Sequence, residues 1–162
     1  MGIENPQVCT LCFPVRNYNK TVSLGKKKQG HGQGKWNGYG GKVKAGEAHR
    51  QTAARELFEE AGISARGEHL EWVGIVKFYR ESVLTFVCYV YIVYEWQGNT
   101  RATEEMIPQW FPILALPLDE MWAVDRLWIP EVLAGKHIYA HIDLSADGNT
   151  VLKFTCTFTR FD

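Results

Sequence analysis

The sequence predicts a single mixed α/β domain, and two observations carry that expectation. β-type runs recur near residues 7–15, 20–25, 70–79, 83–95, 107–112, 136–143 and 150–159, with two helix-like segments between them. The chain of 162 residues has the size of one ordinary domain, 1–162, and no linker, repeat or low-complexity tail divides it. Read from the residues alone, the mixture is α/β or α+β.

Composition removes several function classes. A hydrophobic share of 46% with 22% charged residues is that of a soluble globular chain, and no apolar run nears the roughly 20 residues that span a bilayer. The opening "MGIENPQV" lacks the basic-then-apolar pattern of a leader, so a cytoplasmic protein with no membrane partner is expected. Formal net charge is zero, which leaves no broad basic field for a nucleic-acid polymer, and a monomer is expected.

Cys9 and Cys12 have C-x-x-C spacing, which invites a metal or redox reading. Their segment, "QVCTLCFPV", reads as a strand, where residues three apart point to opposite faces, and Cys88 lies in the equally strand-like "TFVCYVYIVY". Ordinary buried or half-buried thiols are the expectation. "SADGNT" carries the Asp-Gly signal of a hairpin, and "GHGQGKWNGYGGK" is glycine-dense enough to require loop, turn or tight hairpin.

The first helix is expected from His49 to Ala61, stopped by Gly62, which readily takes the left-handed conformation. With Glu56 at zero on a helical wheel, Ala53, Leu57, Ala61, Ala54 and Phe58 fall between about 60° and 200° and form the expected buried stripe. Glu59, Glu56 and Glu60 fall between about −60° and 40°, so the three carboxylates share one face, at a repulsive cost. A solvated acidic face is one account of them. The neighbourhood supports another. Lys26, Lys27, Lys28, Lys35, Lys42 and Lys44 gather just before the acids, glycines let backbone approach closely, and Arg55 and Glu47 are spaced to pair and hold the loop on the helix. The lysines taken alone also fit a solvated loop, but clustered hard oxygens beside lysines suited to phosphate describe a Mg²⁺ site for a polyphosphate, with Mn²⁺ as an alternative ion.

Gly41, Glu47, Arg55-Glu56-Leu57, Glu59-Glu60 and Gly62-Ile63 match every defined position of G-x5-E-x7-R-E-U-x-E-E-x-G-U, with U aliphatic. The chain thereby resembles the Nudix hydrolases. That resemblance implies an α/β/α sandwich with a mixed central sheet, the box helix on one side and a C-terminal helix on the other. Outside the box, "LGKKKQGHGQGKWNGYGGKV" and "EEMIPQWFPILALPLDEMWAVDRLW" are similar to the MutT-homologue type within that family, which hydrolyses oxidised purine nucleoside triphosphates such as 8-oxo-dGTP.

By that similarity Asn37 and Asp125 hydrogen-bond the purine edge, Trp122 and Trp128 are apolar walls, and Thr10, Lys27, Phe78 and Met106 complete the pocket. Glu56, Glu59 and Glu60 supply most metal ligands, the Gly40 carbonyl is a backbone ligand, and Glu105 is ligand or base. Gly41, Glu47, Arg55 and Gly62 are structural. The reaction implied is attack of water on phosphorus, giving the monophosphate and pyrophosphate, in a nucleotide-sanitising role. The residues themselves also fit blander roles: Trp122, Asp125 and Trp128 as core and cap of a short helix or irregular segment, and Asn37 as a turn residue.

Two positions depart from the relative. Val124-Asp125 stands where two adjacent aspartates are usual, and His31 stands where an aromatic residue is. Two further readings keep the fold and change the function. One is a hydrolase of dinucleoside polyphosphates or other modified nucleotides, and the other is a catalytically silent nucleotide-binding regulator.

Overall fold

A computed structural model describes residues 5–160, so the first four residues of the leader argument lie outside the described residues. The β-rich runs fold into strands β1 (Gln7–Arg16), β2 (Thr21–Lys27), β3 (Trp36–Asn37), β4 (Leu70–Arg80), β5 (Val83–Val93), β6 (Met106–Pro112), β7 (Lys136–Leu144) and β8 (Val151–Arg160), with helices α1 (His49–Ala61) and α2 (Ile129–Leu133). Strand order is β3-β2-β1-β5-β4-β7-β8, and β6 pairs with β2 from Thr21↔Pro112 to Lys27↔Met106. The sheet is mixed, since β1 runs parallel to β5 and β4 parallel to β7, while the other pairs are antiparallel. At the β4–β7 seam a Cβ on Gly74 would overlap the carbonyl oxygen of Ile138, so a side chain there would push the two strands apart.

Alternation along β1 divides the interior in two. Cys12 joins a core with Leu57, Ala61, Ile63, Tyr91 and Val93 under α1. Its neighbour Phe13 joins the other core, with Val76, Val90, Ala140 and Ile142, covered by Met121, Val124, Trp128, Ile129 and Val132. Cys9 and Cys12 therefore face opposite cores, and all four cysteines are free thiols.

The far face carries the expected second helix in a shorter form, ahead of the last two strands. Its helical cover is the short α2 preceded by 3₁₀ turns, and the chain then continues as β7 and β8. Pro130 suits the first turn of α2, but a helix of five residues depends on tertiary packing, here through the buried Ile129 and Val132. The glycine-dense segment also yields a short strand, β3, that closes onto β2 through Gly25↔Asn37 and Lys26↔Trp36.

α1 starts with the Ala48 N–H donating to Gln51 Oε1 at 2.9 Å and ends at Gly62, whose φ is 78°. Its buried residues are Thr52, Ala53, Leu57, Glu60 and Ala61, an arc from about −40° to 140° on the wheel. Phe58, expected inside, is 49% exposed and lies under the Arg101 guanidinium. The helix is rolled toward the loop at Gly40 and Gly41, where no side chain intervenes, and that roll turns Glu60 inward and Phe58 outward.

Candidate active site

One helix and one loop bring the carboxylates together. Glu56 and Glu60 come from successive turns of α1, Glu105 precedes β6, and ligand oxygens from all three lie within 4.8 Å of one another. Glu60 is 6% exposed and its Oε1 accepts the Gly40 N–H at 2.7 Å. A Cβ on Gly40 would overlap the Thr10 carbonyl, so that glycine is required by close approach, and a Cβ on Gly41 would push the Glu56 carboxylate aside.

Glu105 is held by contacts that spacing did not reveal. The Thr103 hydroxyl donates to the Glu60 carbonyl at 3.0 Å and accepts the Glu105 N–H at 3.3 Å. Lys28 N–H donates to the Glu105 carbonyl at 3.0 Å, and Lys28 Nζ to the Thr103 carbonyl at 2.8 Å.

Arg55 organises the outer side of the cluster. Its Nε donates to Glu47 Oε2 at 2.8 Å and a terminal nitrogen to Glu47 Oε1 at 2.9 Å, a bidentate pair that fastens the loop to the helix. The other terminal nitrogen reaches Glu56 at 2.9 Å and Glu59 at 3.2 Å. Glu59 is exposed and sits outside the close triad.

The local charges follow from these placements. Arg55 and the Thr52 hydroxyl hold Glu47 down at about 2. Burial pushes Glu60 up to about 9, against the Gly40 N–H and reinforced by the negative charge of Glu56 and Glu105. Burial also raises Glu56, with Arg55 opposing. A buried carboxylate that repels its neighbours favours either a proton or a cation, and hard oxygens this close suit a divalent ion.

Next to Glu60 opens a cleft of about 370 Å³, within the size range of small-molecule sites. Thr10, Lys27, Asn37, Phe78, Met106, Trp122, Asp125 and Trp128 all line it, together with Gly40, Gly41 and Glu60. These eight pocket residues come from five strands and the 122–128 segment. Three of them carry buried polar atoms without a hydrogen-bond partner: Thr10 Oγ1, Asp125 Oδ2 and Trp128 Nε1. Asn37 Oδ1 accepts the Gly38 N–H at 2.8 Å, which leaves its amide N–H groups as donors. Burial pushes Asp125 up to about 7, against a backbone hydrogen bond from Trp122 and the Lys35 charge.

At the mouth, the His31 ring stacks on Trp122 with centroids 4.9 Å apart, and Lys35 Nζ lies 5.0 Å from the Trp122 ring. The sequence reading places His31 in the base pocket without its stack on Trp122, and reads Lys35 only as one of several loop lysines. Val124 lines the same cleft while packing into the core.

Comparison with known proteins matches this geometry to a family. The NUDIX domain model matches residues 5–132. The chain is 42% identical over 122 residues to the oxidized purine nucleoside triphosphate hydrolase of Danio rerio, covering 74% of this chain and 76% of that protein. It is 36% identical over 135 residues to the protein of the same name from Mus musculus, covering 83% and 85%. The crystal structure of a Mutator MutT protein from Bacillus halodurans superposes with a TM-score of 0.77 at 24% identity, over 93% of this chain and 97% of that one, and so shares its fold. The chain belongs to the NUDIX family of hydrolases.

Proposed function

We propose that this chain hydrolyses oxidised purine nucleoside triphosphates, 8-oxo-dGTP among them, to the monophosphate and pyrophosphate, with Mg²⁺ as its ion and Mn²⁺ as a substitute. One observation carries the reading: a mostly apolar cleft holds three unpartnered buried polar atoms, on Thr10, Asp125 and Trp128, and ends at the Glu56, Glu60 and Glu105 cluster. Buried polar groups without a protein partner are ready partners for a ligand of matching donors and acceptors. A flat base fits between indole walls, and its phosphates then lie at the carboxylates. The names of the Danio rerio and Mus musculus relatives support the same substrate class.

When bound, a divalent ion neutralises phosphate charge and acidifies a coordinated water. Glu56, Glu60 and Glu105 would hold it, with the Gly40 carbonyl as a backbone ligand and Glu59 joining on release from Arg55. Trp122 and Trp128 wall the base, Asp125 and Asn37 read its edge, and Lys27 and Phe78 border it. A carboxylate of the cluster takes the proton of the attacking water, Glu105 being the most exposed of the triad. Among the described residues no helix is long and apolar enough to cross a membrane, and we take the enzyme to act as a cytoplasmic monomer on free nucleotides.

A panel of normal and oxidised triphosphates, dinucleoside polyphosphates and nucleotide sugars, each with Mg²⁺, tests the reading. Pyrophosphate release fastest from oxidised purine triphosphates supports it. Preference for a dinucleoside polyphosphate would transfer the reaction to that class, and binding without turnover would make the chain a regulator.

A further inference from the structure

The cleft contains a second chemistry that hydrolysis does not use. Cys9 on β1 and Cys88 on β5 are direct partners in a parallel register, so their side chains leave the sheet on the same face. Both thiols line the cleft, and a hydrogen bond joins them. Cα atoms of adjacent strands lie about 4.8 Å apart, inside the range of about 4.4–6.8 Å that a disulfide spans.

We propose that Cys9 and Cys88 form an oxidation site in the nucleotide cleft, where a hydroperoxide converts the two thiols to a disulfide and lowers nucleotide hydrolysis reversibly.

The two sulfurs differ in the way a two-step oxidation requires. Cys9 is half-buried and open to the cleft, and the hydrogen bond from Cys88, together with the nearby Lys42 charge, lowers its thiol pKa against burial. Cys88 is 6% exposed, and its partner and its burial push its thiol up. The Cys9 thiolate attacks a peroxide oxygen, the O–O bond breaks, water leaves with the proton, and Cys9 becomes a sulfenic acid. The Cys88 thiol then gives up its proton as its sulfur attacks the Cys9 sulfur, the S–O bond breaks, and a second water leaves. With hydrogen peroxide the balance is two thiols and one peroxide to one disulfide and two waters, the peroxide accepting both electrons.

The other cysteines are excluded by position. Cys12 faces the opposite core. Cys156 shares the row Cys88↔Val76↔Ala140↔Cys156, but three strand spacings put it about 14 Å from Cys88. Closure at Cys9 also reaches the reaction site. The next residue, Thr10, donates its N–H to the Gly41 carbonyl at 2.9 Å, and its own carbonyl abuts Gly40, the residue bonded to Glu60.

The oxidation stands on the strand pairing and the placement of the two thiols in the cleft, and only the fall in activity rests on the proposed hydrolysis, so the test reads the two separately. The reduced full-length chain is assayed with Mg²⁺ and 8-oxo-dGTP, treated with a few equivalents of hydrogen peroxide, and reassayed before and after dithiothreitol. Intact mass and peptide mapping are run on the same samples. The expected result is loss of two hydrogens, a Cys9–Cys88 linked peptide, and a fall in kcat/KM of roughly tenfold or more, as for a displaced binding wall, which dithiothreitol restores. Cys88→Ala, compared with its own reduced activity, should give no linked peptide and a Cys9 sulfenic or sulfinic acid instead. A link through Cys12 or Cys156, oxidation of Cys9 to sulfinic acid without a link in the unsubstituted chain, or a linked protein of unchanged kcat/KM would each overturn the proposal. If the reduced chain does not hydrolyse the nucleotide, the function reading fails while the mass measurement still decides whether the disulfide forms.

Discussion

The Gly40 N–H donates to Glu60 Oε1 at 2.7 Å, joining the glycine-dense loop to a carboxylate twenty positions later. That bond holds the Glu60 carboxylate beside Glu56 and Glu105. Glu60→Gln keeps an oxygen to accept the bond but removes the charge. It should retain the fold and lower kcat by on the order of a hundredfold. Gly40→Ala should fail differently, because its methyl would overlap the Thr10 carbonyl, and a large drop in melting temperature is expected. Near-normal kcat in Glu60→Gln would remove this residue from the ion site. Glu120→Gln, at an exposed carboxylate away from the cluster, serves as the control with little expected change.

A second expectation concerns the ion and stability. The clustered carboxylates repel one another, and burial makes the charge on Glu60 costly, so a divalent ion that binds only the folded site should stabilise it by mass action. Millimolar Mg²⁺ should raise the melting temperature of the unsubstituted chain, and ethylenediaminetetraacetate should reverse the shift. The shift should shrink in Glu60→Gln. Thermal unfolding with and without the ion decides it: equal melting temperatures in the unsubstituted chain would argue against an ion at this cluster.

The sequence made the helix and its acids legible because both are local: the stop at Gly62 and the spacing of Glu56 and Glu60 are read within a few turns. The roll of the helix was not legible. Phe58 looks like a core residue by hydrophobicity, and only the absence of side chains on the facing loop explains why Glu60 took the inner position. The brace on Glu105 was hidden for a related reason, since Thr103 and Lys28 meet from segments 75 residues apart. The family's pocket residues were placed by resemblance, and the structure brings them to one cleft, but the His31–Trp122 stack depends on a loop whose Gly30, Gly32 and Gly34 all have positive φ. The short α2 shows the limit of hydrophobic pattern, which does not say whether an apolar segment continues as helix or turns back into strand.

Glu47 should contribute an acid-sensitive part of the stability, reduced by solvent screening of its partly exposed pair with Arg55. Its pKa is held near 2 in the folded chain, mainly by Arg55, against an ordinary value of 4.5. The folded state therefore binds fewer protons than the unfolded one between these values, and the contribution is present above about pH 4.5 and lost as pH falls toward 2. Glu47→Gln should destabilise at pH 7 and flatten the fall in melting temperature between pH 5 and pH 3, on the order of the window set by the two pKa values. A pH profile parallel to that of the unsubstituted chain would show that the Arg55 pair does not set this limb.

If Asp125 reads the base as proposed, base choice should depend on pH. Its pKa is pushed up to about 7 by burial, so the carboxyl changes from donor and acceptor to acceptor only within the working range. A guanine-type edge offers N–H donors that an ionised carboxylate accepts, whereas an adenine-type edge offers a ring nitrogen that needs a donor. The ratio of kcat/KM for the oxidised guanine nucleotide over the oxidised adenine nucleotide should therefore rise as pH increases through about 7. Asp125→Asn keeps a donor and an acceptor without titrating, and its ratio should be flat with pH. Asp125→Ala leaves base atoms unpaired, at a cost of roughly 1–3 kcal/mol for the preferred purine. Val124 adjoins Asp125 in the cleft and its side chain offers no polar atom, so the position pair carries one titrating side chain. Val124→Asp should lower stability, since the site is 6% exposed, yet raise the adenine-type substrate relative to the guanine type, because two adjacent carboxyls share a proton and keep a donor present. Both substrates are to be measured across pH 6 to 8, about one unit either side of the Asp125 pKa, on all four proteins. A single ratio, constant in pH and common to all of them, would show that the Val124–Asp125 segment does not read the base.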